Sequence, residues 1–498
     1  MNPQNDNEIF STNHLIDNLK SRAIKGGAIT LIGQGLKFVL QMTSTAILAR
    51  LLTPADFGLI AMVSAITGFI LIFKDLGLSM ATIQQPKITQ EQISTLFWVN
   101  VAFSFIVLLV MGLLSPVIAW FYDESKLIWV TIILSTGIMM GGFSVQHQAL
   151  LRRQMRYINL ALIDVIALLF GLITAIASAF LGLGYWSLVI QQLMTALITL
   201  IGVLVSAKWK PGLPSKQAGI KSMLNFGKNM TIYGILNYFA RNLDNILIGR
   251  FLGAASLGFY SRAYSLILAP ISQIISPLTA VANPTLSRLQ DDPLRFRNYY
   301  LKAIKFIAYA TIPLIAFMGV LSKEIIALLL GEQWGETAKL FQILAISAIW
   351  HPLGSTVGWI YVSLGKTDRM AKWGFISIPL IILSFIIGLR WGAQGVAIGY
   401  TIIILLLIYP QFAFALHGTL IKTRDVVSSI YPALVIAAIS ALIVFFTLSF
   451  IGYPNPIIRI IIGLMMLILV SLVYYFLSNR LRNDVKDILE IAKLAYKK

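Results

Sequence analysis

The 498-residue sequence has no cysteine, four histidines and only 20 acidic residues. Without cysteine the chain cannot be a disulfide-stapled scaffold, use thiolate catalysis or hold a cysteine-based metal site. Charged residues make up 12% of the chain, against about 25% in soluble domains. A soluble chain of this length would form about three domains, and these charges are too few to cover three polar surfaces.

Apolar side chains make up 58% of the chain and are collected in fourteen runs. A helix of about 20 apolar residues crosses the roughly 30 Å hydrocarbon core of a bilayer. A membrane barrel would instead show short alternating segments, so the runs predict an all-α polytopic membrane protein with about 14 transmembrane helices. Pro270 and Pro277 predict an interruption of the eighth run. The runs lie at 28–48, 57–73, 94–114, 128–146, 159–180, 185–205, 226–248, 256–280, 300–320, 338–362, 375–389, 394–414, 430–450 and 457–477.

Basic residues outnumber acidic ones and give a formal net charge of +19. A nucleic-acid partner would account for such a charge, but the basic residues occupy short loops between apolar runs, which is the pattern of the positive-inside rule. With a cytoplasmic N-terminus, 29 of the 39 Lys and Arg residues fall on the cytoplasmic side, eight on the other side and two inside runs. We therefore predict a multi-pass protein with both termini cytoplasmic and no nucleic-acid partner.

The first 25 residues are polar and lack the apolar core of a signal peptide. Phe10, Leu15, Ile16 and Leu19 would share one side of a helix, so we expect this segment to lie on the inner membrane surface. The predicted divisions of the chain are a cytoplasmic segment (1–25), an N-lobe (26–205), a cytoplasmic linker (206–223), a C-lobe (224–416), two further spans (417–478) and a cytoplasmic tail (479–498).

The polar linker separates six predicted spans from eight, and the sequences on its two sides echo each other. Three short matches occur in the same order, at offsets of 200, 207 to 208, and 211 residues. Two six-span halves that start on the same side of the membrane form a parallel repeat, and such transporters bind substrate at the repeat interface. The matches are 49–59 with 249–259, 114–119 with 321–327, and 183–185 with 394–396.

Two sequence motifs carry a family resemblance. The stretch Arg241-Asn-Leu-Asp-Asn-Ile-Leu-Ile-Gly-Arg-Phe-Leu-Gly253 and the following Leu257-Gly-Phe-Tyr-Ser-Arg-Ala-Tyr264 resemble the signature of Wzx-type polysaccharide flippases. These belong to the multidrug/oligosaccharidyl-lipid/polysaccharide exporter superfamily. The segment 83–100 most resembles the branch that includes the colanic-acid flippase. Further matches are Gln41-Met42 with Leu48–Leu52, Ile83–Gln85 with Leu96–Asn100, and Pro284–Asp292.

The resemblance, which covers roughly residues 20–480, implies two pseudo-symmetric six-helix lobes in a V around a central cavity, plus two C-terminal helices. It implies a bacterial inner-membrane flippase that moves a polyprenyl-pyrophosphate-linked oligosaccharide from the cytoplasmic to the outer leaflet by alternating access, for exopolysaccharide or O-antigen synthesis. Its partners are then this substrate and the membrane lipids, with the polymerase and export machinery as further partners. No nucleotide-binding motif is present, so no cofactor is predicted, and coupling to H⁺, Na⁺ or membrane potential stays open.

Lys37 lies close to the middle of the first span, where an ionisable group must face protein or water. Gln34, Gln41 and Ser44 share its helix face because they are three, four and seven residues away. This face would offer one cation between amide groups. We interpret Lys37, Gln34 and Gln41 as residues that bind the pyrophosphate or the sugars. The structural alternatives are that Lys37 bonds to a neighbouring helix or that its side chain snorkels to the membrane interface.

The seventh span carries a second polar face, spaced by four or three residues. Asn237, Tyr233 and Arg241 on this face are candidate substrate-binding residues, and Asp244 is a candidate for ion coupling. Desolvation of a membrane carboxylate favours its protonated form, whereas a nearby Arg favours its charged form. Arg241 and Asp244 are three residues apart, so a purely structural ion pair is the alternative.

Three other features have a structural and a functional interpretation. Asp164 lies near the inner end of the fifth span, where we expect an ion pair with the 152–156 loop, although ion coupling is the functional alternative. His351 shares a face with two serines, which favours a structural histidine. The glycines at 249, 253 and 258 favour turns and close helix packing over nucleotide binding.

The competing functions differ in what they require. A cation-coupled drug antiporter of the same superfamily would have twelve spans and bind cations, whereas this chain places Lys37 and Arg241 in its spans. A membrane glycosyltransferase or polymerase would need paired carboxylates and a long external loop. The longest outer loops, near 115–127 and 321–337, offer five acids. We therefore expect a flippase and not an enzyme.

Overall fold

A computed structural model describes the chain from Leu19 to Arg482 except residues 76–77, 86–87, 216–220, 451–454 and 480. The described residues are almost entirely helical and contain no β-strand. The helices are α1 (Leu19–Leu51), α2 (Pro54–Asp75), α3 (Leu78–Gln84), α4 (Gln90–Tyr122), α5 (Leu127–Arg153), α6 (Tyr157–Phe180), α7 (Trp186–Ala207), α8 (Lys221–Arg288), α9 (Pro293–Val320), α10 (Ser322–Leu329), α11 (Gly335–Ala348), α12 (His351–Ser363), α13 (Thr367–Gly388), α14 (Gly392–Leu416), α15 (Thr423–Phe450) and α16 (Pro456–Leu477).

All fourteen predicted spans fall on helices, and the protein is a multi-span membrane protein. Among the described residues, ten helical stretches are long and apolar enough to cross a membrane, and one of them, Thr367–Leu416, contains two predicted spans. The predicted outer loops are shorter than expected. The helix α4 continues to Tyr122, and α10 occupies part of 321–337. The predicted amphipathic segment before Leu19 lies outside the described residues.

The effect of proline differs from the prediction in two spans, the eighth and the tenth. Helix α8 continues through Pro270 and Pro277, and its non-helical backbone is at Gly253 instead. Prolines are tolerated in membrane helices where neighbouring groups satisfy the freed backbone carbonyls. The tenth predicted span is divided between α11 and α12, and Pro352 stands in the first turn of α12, a position that needs no backbone N–H.

By their contacts the residues form two compact units, Met1–Gly258 and Phe259–Lys498. The first unit contains α1 to α7 and the start of α8, and the second contains the rest of α8 with α9 to α16. The predicted lobe boundary at the 206–223 linker stays a prediction.

The two C-terminal helices are attached to the second unit at opposite ends. Arg297 on α9 lies 3.1 Å from the carboxylate of Asp425 at the start of α15. Arg459 at the start of α16 lies 2.8 Å from Glu324 on α10. Helices α15 and α16 also pack on each other. The last two helices are therefore integral parts of this unit.

Within the first unit, the structure brings together the two segments of the sequence match at an offset of 200 residues. Helix α1 ends at Leu51 and α2 begins at Pro54, and α8 breaks at Gly253, where φ is +82°. A Cβ at Gly58 would overlap the carbonyl oxygen of Ala254, and a Cβ at Gly258 would overlap that of Pro54. The contact is reciprocal because Pro54 and Ala254 are themselves 200 residues apart.

The motif glycines therefore serve close packing and a backbone turn. The predicted packing role of the glycine at 249 is also seen, because a Cβ there would lie 2.8 Å from the Tyr122 ring.

Candidate substrate site

An ion pair in the first unit joins two of the residues singled out from the sequence. The ammonium of Lys37 on α1 donates to the carboxylate of Asp164 on α6 at 2.8 Å. The two side chains are 35% and 42% exposed. Helices α1 and α6 pack side by side, so residues 127 positions apart along the chain meet directly.

This pairing corrects the partner expected for Asp164. The 152–156 loop does not hold its carboxylate. Arg156 instead donates to the backbone carbonyl of Ser206 at 2.8 Å, and Arg153 donates to carbonyls near the end of α3, including that of Gln85 at 2.5 Å. The alternative interpretation of Lys37, a bond to a neighbouring helix, describes its contact in this structure.

A polar cavity of about 460 Å³ lies next to this ion pair in the first unit. Gln41, one helical turn from Lys37, and Leu168, one turn from Asp164, are part of its wall. Four residues of helix rise correspond to about 6 Å. The lining residues come from α1, α5, α6 and α7 and are Gln41, Gly137, Gly141, Ser144, Gln148, Leu168, Gln191, Gln192, Thr195, Ala196 and Thr199.

The cavity lies at the middle of its helices. Gly141, Leu168 and Ala196 are each within one residue of the midpoint of α5, α6 and α7. Polar side chains at this depth are costly unless they face protein or water. The amides of the lining therefore face a space that can hold water or a polar ligand.

Helical spacing explains how two short sequences build this wall. On α5 the lining positions 137, 141, 144 and 148 are three or four residues apart and share one face. On α7, 191, 192, 195, 196 and 199 form one stripe. The close approach of α6 and α7 positions this stripe, because a Cβ at Gly171 would overlap the hydroxyl of Thr195.

One of the four glutamine side chains of the wall, that of Gln191, is held by a hydrogen bond. Gln191 Nε2 donates to Ser44 Oγ at 2.7 Å. Gln41, Gln148 and Gln192 have no hydrogen-bond partner in the described part of the chain. Gln34 is exposed and does not line the cavity. The structure therefore brings Lys37, Gln41 and Asp164 together and leaves Gln34 apart.

The polar face of the seventh span is described only in part. Helix α8 includes Tyr233, Asn237 and Arg241, but their side chains lie outside the described residues, so an Arg241–Asp244 pair stays a prediction. The side chain of Asp244 is buried, with 5% exposure. One of its carboxylate oxygens accepts a hydrogen bond from the backbone N–H of Asn245 at 2.8 Å.

A buried polar chain behind the cavity was missed from the sequence. Thr82 Oγ1 donates to Gln146 Oε1 at 2.9 Å, and Gln146 Nε2 donates to Asn100 Oδ1 at 2.9 Å. All three residues are fully buried. They join α3, α4 and α5 and fix the helix that carries Gln148. Of the three, Asn100 belongs to the 83–100 motif, so the motif was the available signal.

The described part of the predicted linker, 206–215, is bound to the start of α4. Its backbone and the side chain of Trp209 bond to four residues of α4, which anchors the segment to the first unit. The bonds are Trp209 Nε1 to Gln90 Oε1 (2.5 Å), Gln90 Nε2 to Lys210 O (2.9 Å), Trp98 Nε1 to Gly212 O (2.8 Å), Gly212 N to Ser94 Oγ (2.9 Å) and Ser215 N to Thr95 Oγ1 (3.0 Å).

The arrangement of helices matches that of a solved structure. The chain has the fold of the lipid II flippase MurJ in its inward closed conformation, with a TM-score of 0.70 and 15% identity over 91% of this chain and 99% of that chain. This likeness concerns the fold alone.

The sequence comparisons then give the family. A model described as polysaccharide biosynthesis protein matches residues 47–339, which is more than half of the chain, and the chain belongs to that family. The lipopolysaccharide biosynthesis protein WzxC of Escherichia coli (strain K12) is 25% identical over 77% of this chain and 79% of its own length. The teichuronic acid biosynthesis protein TuaB of Bacillus subtilis (strain 168) is 28% identical over 75% and 78%.

Proposed function

We propose that this protein is a flippase that moves polyprenyl-pyrophosphate-linked oligosaccharide repeat units from the cytoplasmic to the outer leaflet by alternating access. The observation that carries the proposal is a polar site at mid-membrane depth, with an ion pair and an amide-lined cavity, in a polysaccharide biosynthesis protein. The polyprenyl chain can stay in lipid during this movement. The pyrophosphate and the sugars need a polar path, because the bilayer core offers them no hydrogen bonds.

Lys37 is proposed to exchange its carboxylate partner for a phosphate of the substrate. In this structure Asp164 compensates the charge of Lys37 at 2.8 Å. A phosphate would do the same when the substrate enters, and it would leave Asp164 able to take up a proton or a cation. The ion pair thereby links substrate binding to ion binding. This link gives Asp164 its proposed coupling role, with H⁺ or Na⁺ as the ion.

The remaining candidates have supporting roles in the proposal. Gln34 and Gln41 flank Lys37 on α1 and would bind the sugars. Tyr233, Asn237 and Arg241 would extend the polar path along α8, with Arg241 as a second phosphate ligand. Asp244 is proposed as a second coupling carboxylate, and its burial fits a group that must lose its charge during transport.

The proposed function is transport and not glycosyl transfer or polymerisation. Three acids on the predicted outer side are engaged in ion pairs, with distances of 3.9, 2.8 and 2.7 Å for Glu124, Glu324 and Glu336. Such acids brace the ends of helices. A drug antiporter could share the fold, but the membership of the polysaccharide biosynthesis family favours the flippase.

The proposed location is the inner membrane of a bacterium, with both termini in the cytoplasm. The polymerase and export machinery that consume the repeat unit are proposed as partners at the outer face. Reporter fusions at Ser215 and Asp291 should then read cytoplasmic, and fusions at Asp123 and Glu332 external. Ser215 and Glu332 on the same side would contradict this topology.

Removal of the protein tests the function itself. Cells without it should accumulate a lipid-linked oligosaccharide on the inner leaflet, measured by lipid extraction and mass spectrometry, and a plasmid copy should reverse the accumulation. If no lipid-linked oligosaccharide accumulates, the flippase proposal fails.

A further inference from the structure

The amide-lined cavity differs chemically from the ion pair beside it. Its lining contains amides, hydroxyls, glycines and small or aliphatic side chains but no Asp, Glu, Lys, Arg or aromatic residue. The charged groups of the neighbouring ion pair, Lys37 and Asp164, neutralise each other at 2.8 Å. A ligand of this cavity would therefore gain little from carrying charge.

The wall of the cavity offers many hydrogen-bond donors and acceptors. A glutamine amide offers two N–H donors and a carbonyl acceptor, and a threonine hydroxyl both donates and accepts. Gln41, Gln148 and Gln192 have no partner among the described residues and come from three different helices. A ligand with several hydroxyl groups around one ring could bond to all three at once.

The size of the cavity also fits a small ligand. Small-molecule pockets commonly enclose about 300–1,000 Å³, and this one measures about 460 Å³. Most such pockets are apolar with a few polar groups, whereas here amides and hydroxyls come from α1, α5 and α7. An apolar drug would leave these groups unpaired at a cost.

We propose that this cavity of the first unit binds an uncharged, polyhydroxylated ligand, and that this ligand is one sugar ring of the lipid-linked oligosaccharide. The statement that this sugar belongs to a lipid-linked oligosaccharide rests on the proposed function. The site is separate from the proposed phosphate ligand Lys37 but lies one helical turn from it. A sugar in the cavity and a phosphate at Lys37 could therefore belong to the same substrate molecule.

The absence of native cysteine permits a direct binding experiment on the purified full-length protein. A Thr199→Cys variant places a single thiol in the cavity wall, and Ser125→Cys places one in an exposed loop as a control. The rate of labelling by methyl methanethiosulfonate is measured with and without glucose, galactose, N-acetylglucosamine or inorganic pyrophosphate.

The proposal expects that at least one of the three sugars slows labelling at Thr199→Cys by threefold or more and leaves Ser125→Cys unaffected. Pyrophosphate should not protect. A thiol that reacts readily but is protected by no sugar would show a merely hydrated cavity and overturn the proposal. Protection by pyrophosphate instead of sugar, or a thiol that does not react at all, would also overturn it.

A transport experiment uses two residues of the wall that the sequence analysis missed. Gln148→Leu and Gln192→Leu keep the side-chain size but remove the hydrogen bonds, and each should reduce transport about three- to tenfold at normal protein level. Gln411→Leu is the matched control, because Gln411 is a half-buried glutamine of α14 in the second unit. Normal transport in the Gln148→Leu and Gln192→Leu double variant would contradict the proposal.

The two proposals can fail separately. If the deletion accumulates lipid-linked oligosaccharide but no sugar protects the cavity thiol, the flippase function stands and the sugar site fails. If a sugar protects the thiol but no lipid-linked oligosaccharide accumulates, the cavity binds sugar and the flippase function fails.

Discussion

The two units of the molecule fill the space between comparable helices very differently. In the first unit, α5 and α7 frame a cavity of about 460 Å³ lined with amides and hydroxyls. The repeat pairs α5 with the two helices α11 and α12 of the second unit, and it pairs α7 with α14. The space that α11, α12 and α14 border together with α8 measures about 10 Å³, which is about the space of one water molecule. A repeated helix order therefore does not imply a repeated binding site.

The side chains explain this difference. The small space in the second unit is bordered by Tyr264, Tyr400 and His351. The rings of Tyr264 and Tyr400 are 6.4 Å apart, and Phe385 stacks on Tyr400 at 5.7 Å. In the first unit, glycines at 137 and 141 stand in the cavity wall, and no aromatic side chain of the described part of the chain borders the cavity. Of these two spaces, the one in the first unit is therefore polar and large enough for a ligand, and the one in the second unit is closed by aromatic packing.

The largest effect should come from the crossing of α2 with the part of α8 after Gly253, where the repeat is most nearly symmetric. Gly58→Ala and Gly258→Ala each add a methyl group that overlaps a backbone carbonyl. Because backbone atoms cannot yield as side chains do, we expect a loss above the about 1–3 kcal/mol typical of overpacking. The measurement is the amount of folded protein in membranes and its thermal midpoint.

Gly112→Ala is the matched control for this prediction, since a Cβ at Gly112 meets no atom within 4 Å. Alanine is favoured over glycine in a helix by about 1 kcal/mol, so this variant should be as stable as the parent or more so. Normal folding of Gly258→Ala would show that the crossing is not tightly packed.

The second largest effect should come from the Lys37–Asp164 ion pair. No ion pair borders the small space of the second unit among the described residues. Lys37→Ala should reduce transport at least tenfold, because the proposed phosphate ligand is lost. The exchanged variant, Lys37→Asp with Asp164→Lys, keeps an ion pair but moves the cation to α6. We expect it to restore the protein level without restoring transport.

Transport and the amount of protein in the membrane are measured together for three variants: Lys37→Ala, the exchanged variant and Asp164→Asn. Full transport in the exchanged variant would mean that the pair only braces α1 against α6. Loss of protein in all three variants would point to the same structural role.

A smaller effect is expected in the second unit. His351→Ala removes a side chain that borders the small aromatic space and should cost about 1–3 kcal/mol of stability by leaving neighbouring groups unsatisfied. Transport per folded molecule should stay near normal, which is the reverse of the pattern expected for Gln192→Leu. A specific loss of transport in His351→Ala would assign function to the second unit as well.

The smallest effect should come from the linker. Trp98→Phe removes the 2.8 Å hydrogen bond from the indole N–H to the carbonyl oxygen of Gly212. Because Trp98 is partly exposed, the free energy of unfolding should fall by no more than the about 0.5–1.5 kcal/mol of a typical hydrogen bond. Stability should change little, but trypsin should cleave the linker at Lys208 or Lys210 faster. Phe103→Leu, a change on the same helix away from this bond, should not alter the cleavage rate.

The sequence predicted most of the architecture, because the underlying signals are local. A run of about 20 apolar residues crosses the membrane whatever it packs against, so the positions of the spans were confirmed. The offset-200 echo marked the two breaks near Leu52 and Gly253, and the motif glycines were correctly assigned to packing. The prolines of α8 misled because a membrane helix can continue through proline when its neighbours permit it.

What the sequence by itself determined is the membrane class, the spans, the repeat and the helix faces on which Lys37 and Gln41 lie. Only the tertiary structure decided that Lys37 meets Asp164, which is 127 residues away, and that Gln148, Gln191 and Gln192 join Gln41 around one cavity. Spacing within a helix shows which residues share a face, but it does not show which helix that face meets. The partner depends on how α1, α5, α6 and α7 pack, and that packing is the summed outcome of many weak contacts between distant parts of the chain.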